Sequence, residues 1–524
     1  MTWIDVADST EIAAAGRLVV RVEGRQILLT ATERGLFATA NRCPHEGYPL
    51  SEGTLAGCTL TCNWHNWKFD LASGETLVGG DRLQRYPLRI EAGRVWLDVT
   101  APPLAEERAK ILAGLTQALL DRDQQRLVRE TARLGHVGAD PLDAVRTALA
   151  WAQDRLEFGT THAFAAAPDW LRLTDDERLG ADAQLMALGE ILGHIADDVA
   201  GSDARFGFSA EVLAWDRARF LEAIEREDEA TAVGLLRGAL AGCGHPADLA
   251  PALFGAGLLH YADFGHSLIY VAQGLRLIER LGPETAEPVL LSLARSLVYA
   301  RREDLLPEFR DYRPRLEAWG TASAERMPLD AAALRRASAK RAMAIVAGWA
   351  AVHPPEAILA VLVEAAAWQL LHVDAPFLDS ADQKLSDNVG WLDFTHALTF
   401  AAAGLDAVHA DRSLWPALLL QLACFVGRNG GYPDPALDTT LWQVADRAAF
   451  RDQAIDRLVQ HGQGRFIFSA HLAKTLFAAL ALAEAVPAAA PTVLAATRRF
   501  LEAPLRGRHP LRTARQMLAF VEEE

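Results

Sequence analysis

The spacing of hydrophobic and polar positions along this chain changes once, near residue 104. Before it, apolar residues come in short runs: Leu18-Val19-Val20-Arg21-Val22, Gln26-Ile27-Leu28-Leu29-Thr30 and Arg94-Val95-Trp96-Leu97-Asp98. Runs this short, bounded by Gly24, Gly35, Gly74 and Gly93, predict the strands of a small antiparallel domain. Ala101-Pro102-Pro103 ends that stretch. Beyond it Ala, Leu, Arg and Glu recur at helical spacing, and no run reads as a strand. The spacing predicts helices over 143–156, 209–226, 288–299, 355–371 and 394–408, with Ser209 as a cap and Pro288 in a first turn. Gly and Pro clusters at 242–246 and 427–433 punctuate them. The polar, basic segment 321–345 predicts a surface helix between two halves. No fixed period of a helical solenoid is present. The expected fold is multidomain: a small all-β domain over residues 1–104, then a large all-α domain over 105–524.

Composition narrows the function classes. A chain of 524 residues is too long for one ordinary core, and 51% hydrophobic with 23% charged residues is globular. A net charge of −16 repels nucleic acid and anionic membranes, so neither is expected as a partner. Cys58, Cys243 and Cys424 stand singly, which reads as reduced, buried thiols. The start, Met1-Thr2-Trp3-Ile4-Asp5, lacks the cationic flank and apolar run of a secretion signal. The longest apolar stretches, such as 414–426, read as too short and interrupted to span a bilayer. A soluble cytoplasmic protein is expected.

The sharpest chemical signal is Cys43-Pro44-His45 followed by Cys62-Asn63-Trp64-His65. Zinc also takes cysteine and histidine, but its motifs usually pair like with like, whereas each loop here mixes one of each. Cys43-Pro44-His45-Glu46-Gly47-Tyr48-Pro49-Leu50 and Cys62-Asn63-Trp64-His65-Asn66-Trp67-Lys68-Phe69-Asp70 resemble the two ligand boxes of the Rieske family. The resemblance implies a [2Fe–2S] cluster held by Cys43, His45, Cys62 and His65, two thiolates on one iron and two imidazoles on the other. Respiratory members brace the loops with a disulfide from an extra cysteine in each box. Here Tyr48 follows Gly47, so the resemblance is to the soluble ferredoxin and oxygenase type.

Such a cluster passes only single electrons, so the helical domain decides the function. Asp263-Phe264-Gly265-His266 starts like the iron motif of ring-hydroxylating oxygenases, but Tyr270 and Val271 stand where a second histidine belongs. A di-iron bundle needs Glu-x-x-His on two helices, and no histidine here has Glu three residues before it. What remains is a set of histidines on apolar helices: His162, His260 and His266, His396 and His471, with Lys474 one turn after the last. Singly, each reads as a core histidine; on separate helices beside a cluster, they read as ligands for Fe(II). Either His260 or His266 could serve. Lys474, in an apolar segment, reads as paired, snorkelling or modified. Asp393 and Asp406 lie three residues before His396 and His409, and could add carboxylates or orient the rings. Asp197-Asp198 reads as a solvated helix end. Tyr261, Phe264, Trp391 and Phe394 flank the histidines and could line a pocket or simply belong to the core.

The segments Phe264–Tyr270, Thr395–Thr399 and Ala470–Lys474 resemble the spaced histidine motifs of the questin oxidase-like family. That resemblance implies a helical oxygenase acting on aromatic, polyketide-like compounds. It implies a non-haem iron held by His162, His266, His396 and His471, with Lys474 carboxylated. The expected function is therefore a Rieske-fused oxygenase using a mononuclear Fe(II), O₂ and a small organic substrate. Its electron donor would be a separate NAD(P)H-dependent reductase or a ferredoxin, since the chain carries no convincing dinucleotide fingerprint. The alternative is an electron-transfer protein whose helical domain docks a partner enzyme.

Overall fold

The computed structural model describes residues 2–199, 204–242, 245–320 and 328–522. It consists of two compact units, Met1–Lys110 and Ile111–Glu524.

The first unit is built of antiparallel sheets, with one short helix, Ser9–Ala15, after the first strand. Strands β1 (Trp3–Asp8), β10 (Leu88–Glu91) and β11 (Arg94–Asp98) form one sheet in the order β1-β11-β10. Strands β2 (Arg17–Val22), β3 (Arg25–Thr32), β4 (Gly35–Ala40) and β9 (Arg85–Tyr86) form a second sheet in that order. The three strands anticipated from the sequence are β2, β3 and β11. Ile27, Leu29, Val95 and Leu97 sit at the centre of the core these two sheets share. A third sheet, β5 (Thr54–Ala56), β6 (Thr59–Thr61), β7 (Lys68–Asp70) and β8 (Thr76–Val78), carries its own small core of Leu50, Leu60, Phe69 and Leu71. Cys43 and Cys62 are buried in that core.

The second unit is helical. Its centre is a closed ring of four packed helices, His162–Thr174, His266–Leu281, Trp391–Ala410 and Phe466–Ala485, each touching the next and the last touching the first. The Pro355–Leu371 helix forms where the sequence places it, and that expected over 394–408 extends to Trp391–Ala410. The helix expected over 209–226 is confined to Arg217–Glu225. Its cap is Asp216, whose carboxylate accepts from Arg219 N at 2.8 Å, because residues before it bond elsewhere: Phe206 N to Asp154 O and Leu213 N to Gly234 O. The segment 321–345 is not one surface helix. Residues 321–327 lie outside the described residues, as does Cys243. Ala339–Ala350 buries Ala342, Met343, Val346 and Trp349 against the Trp415–Asn429 helix, so its polar residues mark only its first turn.

Cys424 is fully buried, with Sγ 3.6 Å from Met343 sulfur, whereas Cys58 is only half-buried. The Phe466–Ala485 helix is, against the sequence expectation, long and apolar enough to cross a membrane. Most of it is buried within the fold, as expected of a helix that is apolar all round at the centre of a large domain.

Candidate functional site

Two loops of the first unit repeat one backbone design. Cys43 N donates to Tyr48 O and Gly47 N to Cys43 O; Cys62 N donates to Trp67 O and Asn66 N to Cys62 O. The residue four after each cysteine is left-handed, Gly47 at φ 80° and Asn66 at φ 62°. Glycine and asparagine are the residues that tolerate this conformation best. The two turns bury the thiols and present His45 and His65 at the surface side, their Nδ1 atoms 3.2 Å apart. Two nitrogens each about 2.1 Å from one ion and at right angles to each other stand about 3.0 Å apart, so this pair fits a shared metal. The His45 ring stacks on Trp67 at 4.6 Å, and Glu46 lies 4.0 Å from each ring. Burial pushes the Cys43 thiol up to about 11, with Cys62 beside it adding to the rise. A metal is what stabilises adjacent buried thiolates in such a place.

A second convergence occupies the middle of the helical ring. His162 and His266 are the first residues of their helices; His396 and His471 lie within the first two turns of theirs. Nε2 of His266 is 3.0 Å from Nε2 of His162 and 3.0 Å from Nε2 of His396, and His471 Nε2 is 3.5 Å from His396 Nε2. Each separation is that of neighbouring ligands on one ion. Nδ1 of His266 donates to Asp263 O at 2.5 Å, that of His396 to Leu392 O at 2.6 Å, and that of His471 to Ile467 O at 2.7 Å. A carbonyl only accepts, so these Nδ1 atoms carry the proton and Nε2 of each neutral ring presents a lone pair. Lone pairs facing one another at 3.0 Å repel unless a cation or a shared proton lies between them. Burial holds all four rings below the usual imidazole range, His266 down to about 3, which disfavours the proton. His162, His266 and His396 each bring a nitrogen within 4.8 Å of the other two, a donor set that fits a metal ion, and His471 adjoins that triad through His396.

Lys474 is buried beside these rings, and among the described residues its Nζ has no hydrogen-bond partner. Burial pulls its ammonium down to about 8, against the attraction of Asp169. It lines a cavity of about 20 Å³, room for one water, with Asp169, Gln273 and Arg276. Tyr270, which the sequence offered only as a missing histidine, turns its hydroxyl to His162 Nδ1 at 3.4 Å. Its position one turn after His266 on the same face was the available signal. Phe264 stands edge-on to His396 at 4.8 Å.

The other residues singled out in the sequence serve elsewhere. His260 faces Glu225 at 2.5 Å and Asp304 at 3.1 Å, away from the four rings. Asp393 accepts from Gly390 N at 2.6 Å, capping its own helix, and Asp406 accepts from Arg276 at 2.6 Å; neither orients a histidine ring by a hydrogen bond. Asp197 and Asp198 are exposed at a helix end as read, but Asp198 lies 3.6 Å from His194 and accepts from Ala163 N, next to His162, at 3.4 Å. Tyr261 packs with Phe309 and Phe425, and Phe394 is fully buried, so both belong to the core. Trp391 lines a cavity of about 310 Å³ at the start of its helix. A larger one, about 440 Å³, opens beside the C-terminal half of the His266 helix, away from its histidine.

A family model described as the Rieske [2Fe-2S] domain matches residues 2–85. The chain is 34% identical over 100 residues to the ferredoxin component of the naphthalene 1,2-dioxygenase system of Pseudomonas aeruginosa, covering 19% of this chain and 96% of that protein. It is 36% identical over 99 residues to 4beta-methylsterol monooxygenase of Methylococcus capsulatus, covering 17% of this chain and 27% of that protein. Among solved structures, the terminal oxygenase of carbazole 1,9a-dioxygenase from Novosphingobium sp. KA1 is similar at 30% identity over 19% of this chain and 30% of that one, with a TM-score of 0.18. The two sequence relatives are named as a ferredoxin component of a dioxygenase system and as a monooxygenase, and the likeness covers the N-terminal unit alone. Through that unit the chain belongs to the Rieske [2Fe-2S] domain family.

Proposed function

We propose that this chain is an O₂-dependent oxygenase with its electron-transfer unit built in. The observation that carries this reading is the triad of His162, His266 and His396, whose nitrogens lie within 4.8 Å of one another, with His471 Nε2 3.5 Å from that of His396; a backbone carbonyl fixes His266, His396 and His471 as lone-pair donors. Imidazole suits Fe(II). His162, His266, His396 and His471 would hold the iron, and Cys43, His45, Cys62 and His65 the [2Fe–2S] cluster. When bound, the cluster would supply single electrons and the mononuclear iron the activation of O₂ toward a small organic substrate. The carbonyls of Asp263, Leu392 and Ile467 keep the rings in one tautomer and orientation. His396 and His471 are buried among the packed helices, and His162 and His266 are half-buried. Lys474, buried and close to its neutral amine, is suited to take up CO₂ as an anionic oxygen ligand.

The resemblance of the helical histidine segments to the questin oxidase-like family supports the same reading, and with it an aromatic or polyketide-like substrate. The likeness to a ferredoxin component supports an electron donor of reductase or ferredoxin type. That likeness covers 96% of a free-standing component, which also favours the second reading, an electron carrier whose helical unit docks a partner enzyme.

Iron and acid-labile sulfide measured on anaerobically purified protein separate the two. About three irons to two sulfides per chain is expected of the oxygenase, and about two to two of the carrier. His396→Ala should remove the extra iron and leave the Rieske absorption and EPR signals in place. Retention of that iron in the variant would rule out the ligand assignment.

A further inference from the structure

The cavity of about 310 Å³ lies against the first turns of the Trp391–Ala410 and Phe466–Ala485 helices. Those turns also supply the Leu392 and Ile467 carbonyls that orient His396 and His471. Four residues of helix, about 6 Å of rise, separate the Leu392 wall from His396. Trp391, Leu392, Phe468 and Leu505 give the cavity apolar walls, and Arg506 and Arg512 reach it from the C-terminal segment. Volume and lining are those of a small-molecule site, mostly apolar with a few placed polar groups.

The formal charges around the cavity balance, Asp379 and Asp393 against Arg506 and Arg512, but they are not all paired with one another. Asp379 pairs with Arg506 at 3.5 Å, and the Asp393 carboxylate is turned to Gly390 N. Arg512 is half-buried and donates through one nitrogen, Nη1, to two neutral acceptors, Leu378 O and Gln383 Oε1, both at 2.9 Å. Among the described residues its guanidinium has no carboxylate partner. A guanidinium has five N–H donors in a planar fork that matches a carboxylate, and Arg512 keeps most of that fork available.

We propose that this cavity binds an aromatic carboxylate, its ring system against Trp391 and Phe468 and its carboxylate on Arg512. Its role as the substrate site rests on the oxygenase function proposed above; the binding itself does not. The single fork selects a planar carboxylate over a neutral analogue, and the two aromatic walls select flat rings over aliphatic chains.

Isothermal titration of the full-length anaerobic protein with 2-naphthoate and its neutral amide, 2-naphthamide, tests the site. The acid should bind once per chain and at least about tenfold more tightly than the amide. Arg512→Gln should bring the acid down to the level of the amide. Because Arg512 also ties Leu378 and Gln383, the fold of that variant is checked by circular dichroism, and Leu505→Trp, which fills the cavity, should abolish binding of both compounds. Equal affinity for acid and amide, or unchanged acid binding in Leu505→Trp, would overturn the proposal. Selective acid binding by protein carrying only the cluster irons would uphold the site and remove the oxygenase reading. Extra iron without selective binding would do the reverse.

Discussion

His260 and His266 stand six residues apart, and the sequence leaves either as a ligand; their hydrogen bonds separate them. The Nδ1–H of His266 is taken by Asp263 O, which leaves Nε2 to the shared centre. His260 has each ring nitrogen on a carboxylate oxygen, Glu225 and Asp304, and helps hold the loop after Tyr299 instead. Burial pushes the Asp304 carboxyl up, but hydrogen bonds from His260 and Arg302 outweigh it and hold it at about 2. A carboxyl depressed in this way adds stability that is present above its unfolded value and is lost as pH falls through its folded value. Asp304→Asn is therefore expected to cost on the order of 2 kcal/mol near neutral pH. In urea titrations at stepped pH the gap from the parent should close between about pH 4 and pH 2; a gap independent of pH would contradict the charge-based account. None of this was legible from residue types alone, because a histidine's partners come from other elements.

At the scale of elements, the approach to His266 has an unusual backbone. Asp263, Phe264 and Gly265 are successively left-handed, at φ 46°, 56° and 74°. Two of them are not glycine, a conformation that costs free energy and is retained where surrounding structure enforces it, often at functional sites. A Cβ on Gly265 would stand 2.6 Å from Phe425 and 2.8 Å from Phe400. Gly265→Ala is expected to destabilise by about 1–3 kcal/mol and, by shifting the start of the His266 helix, to lower iron content relative to sulfide. Thermal melting and metal analysis check both; a lowered melting temperature with full iron would separate strain from metal binding. Periodicity made the helices legible, as with Pro355–Leu371, whose ends it located correctly. It failed at 209–216, where the same helical spacing occurs but Leu213 N bonds to Gly234 O and Glu211 N turns back to Ser209 Oγ.

For the whole molecule, each unit buries its own core, Ile27, Leu29, Val95 and Leu97 in one and the large helical cluster in the other. Residues 1–110 expressed alone should fold, assemble the cluster and show the Rieske spectrum, and the full chain should unfold in two calorimetric transitions. A single cooperative transition, with a fragment that takes up no cluster, would show the units to be interdependent.

By itself the sequence determined the β-then-α division and the character of the N-terminal unit. Both are local: strand and helix periods are read within a few residues, and each cluster loop carries its cysteine and histidine two or three positions apart. A resemblance pointed to four histidines of the helical unit, but only the tertiary structure decided that their rings lie together. They are separated by 104, 130 and 75 residues along the chain, and an imidazole on an apolar helix looks the same in sequence whether it faces a core neighbour or another imidazole. The packing of four helices into a ring, and the backbone carbonyls that fix the rings of His266, His396 and His471, made that choice.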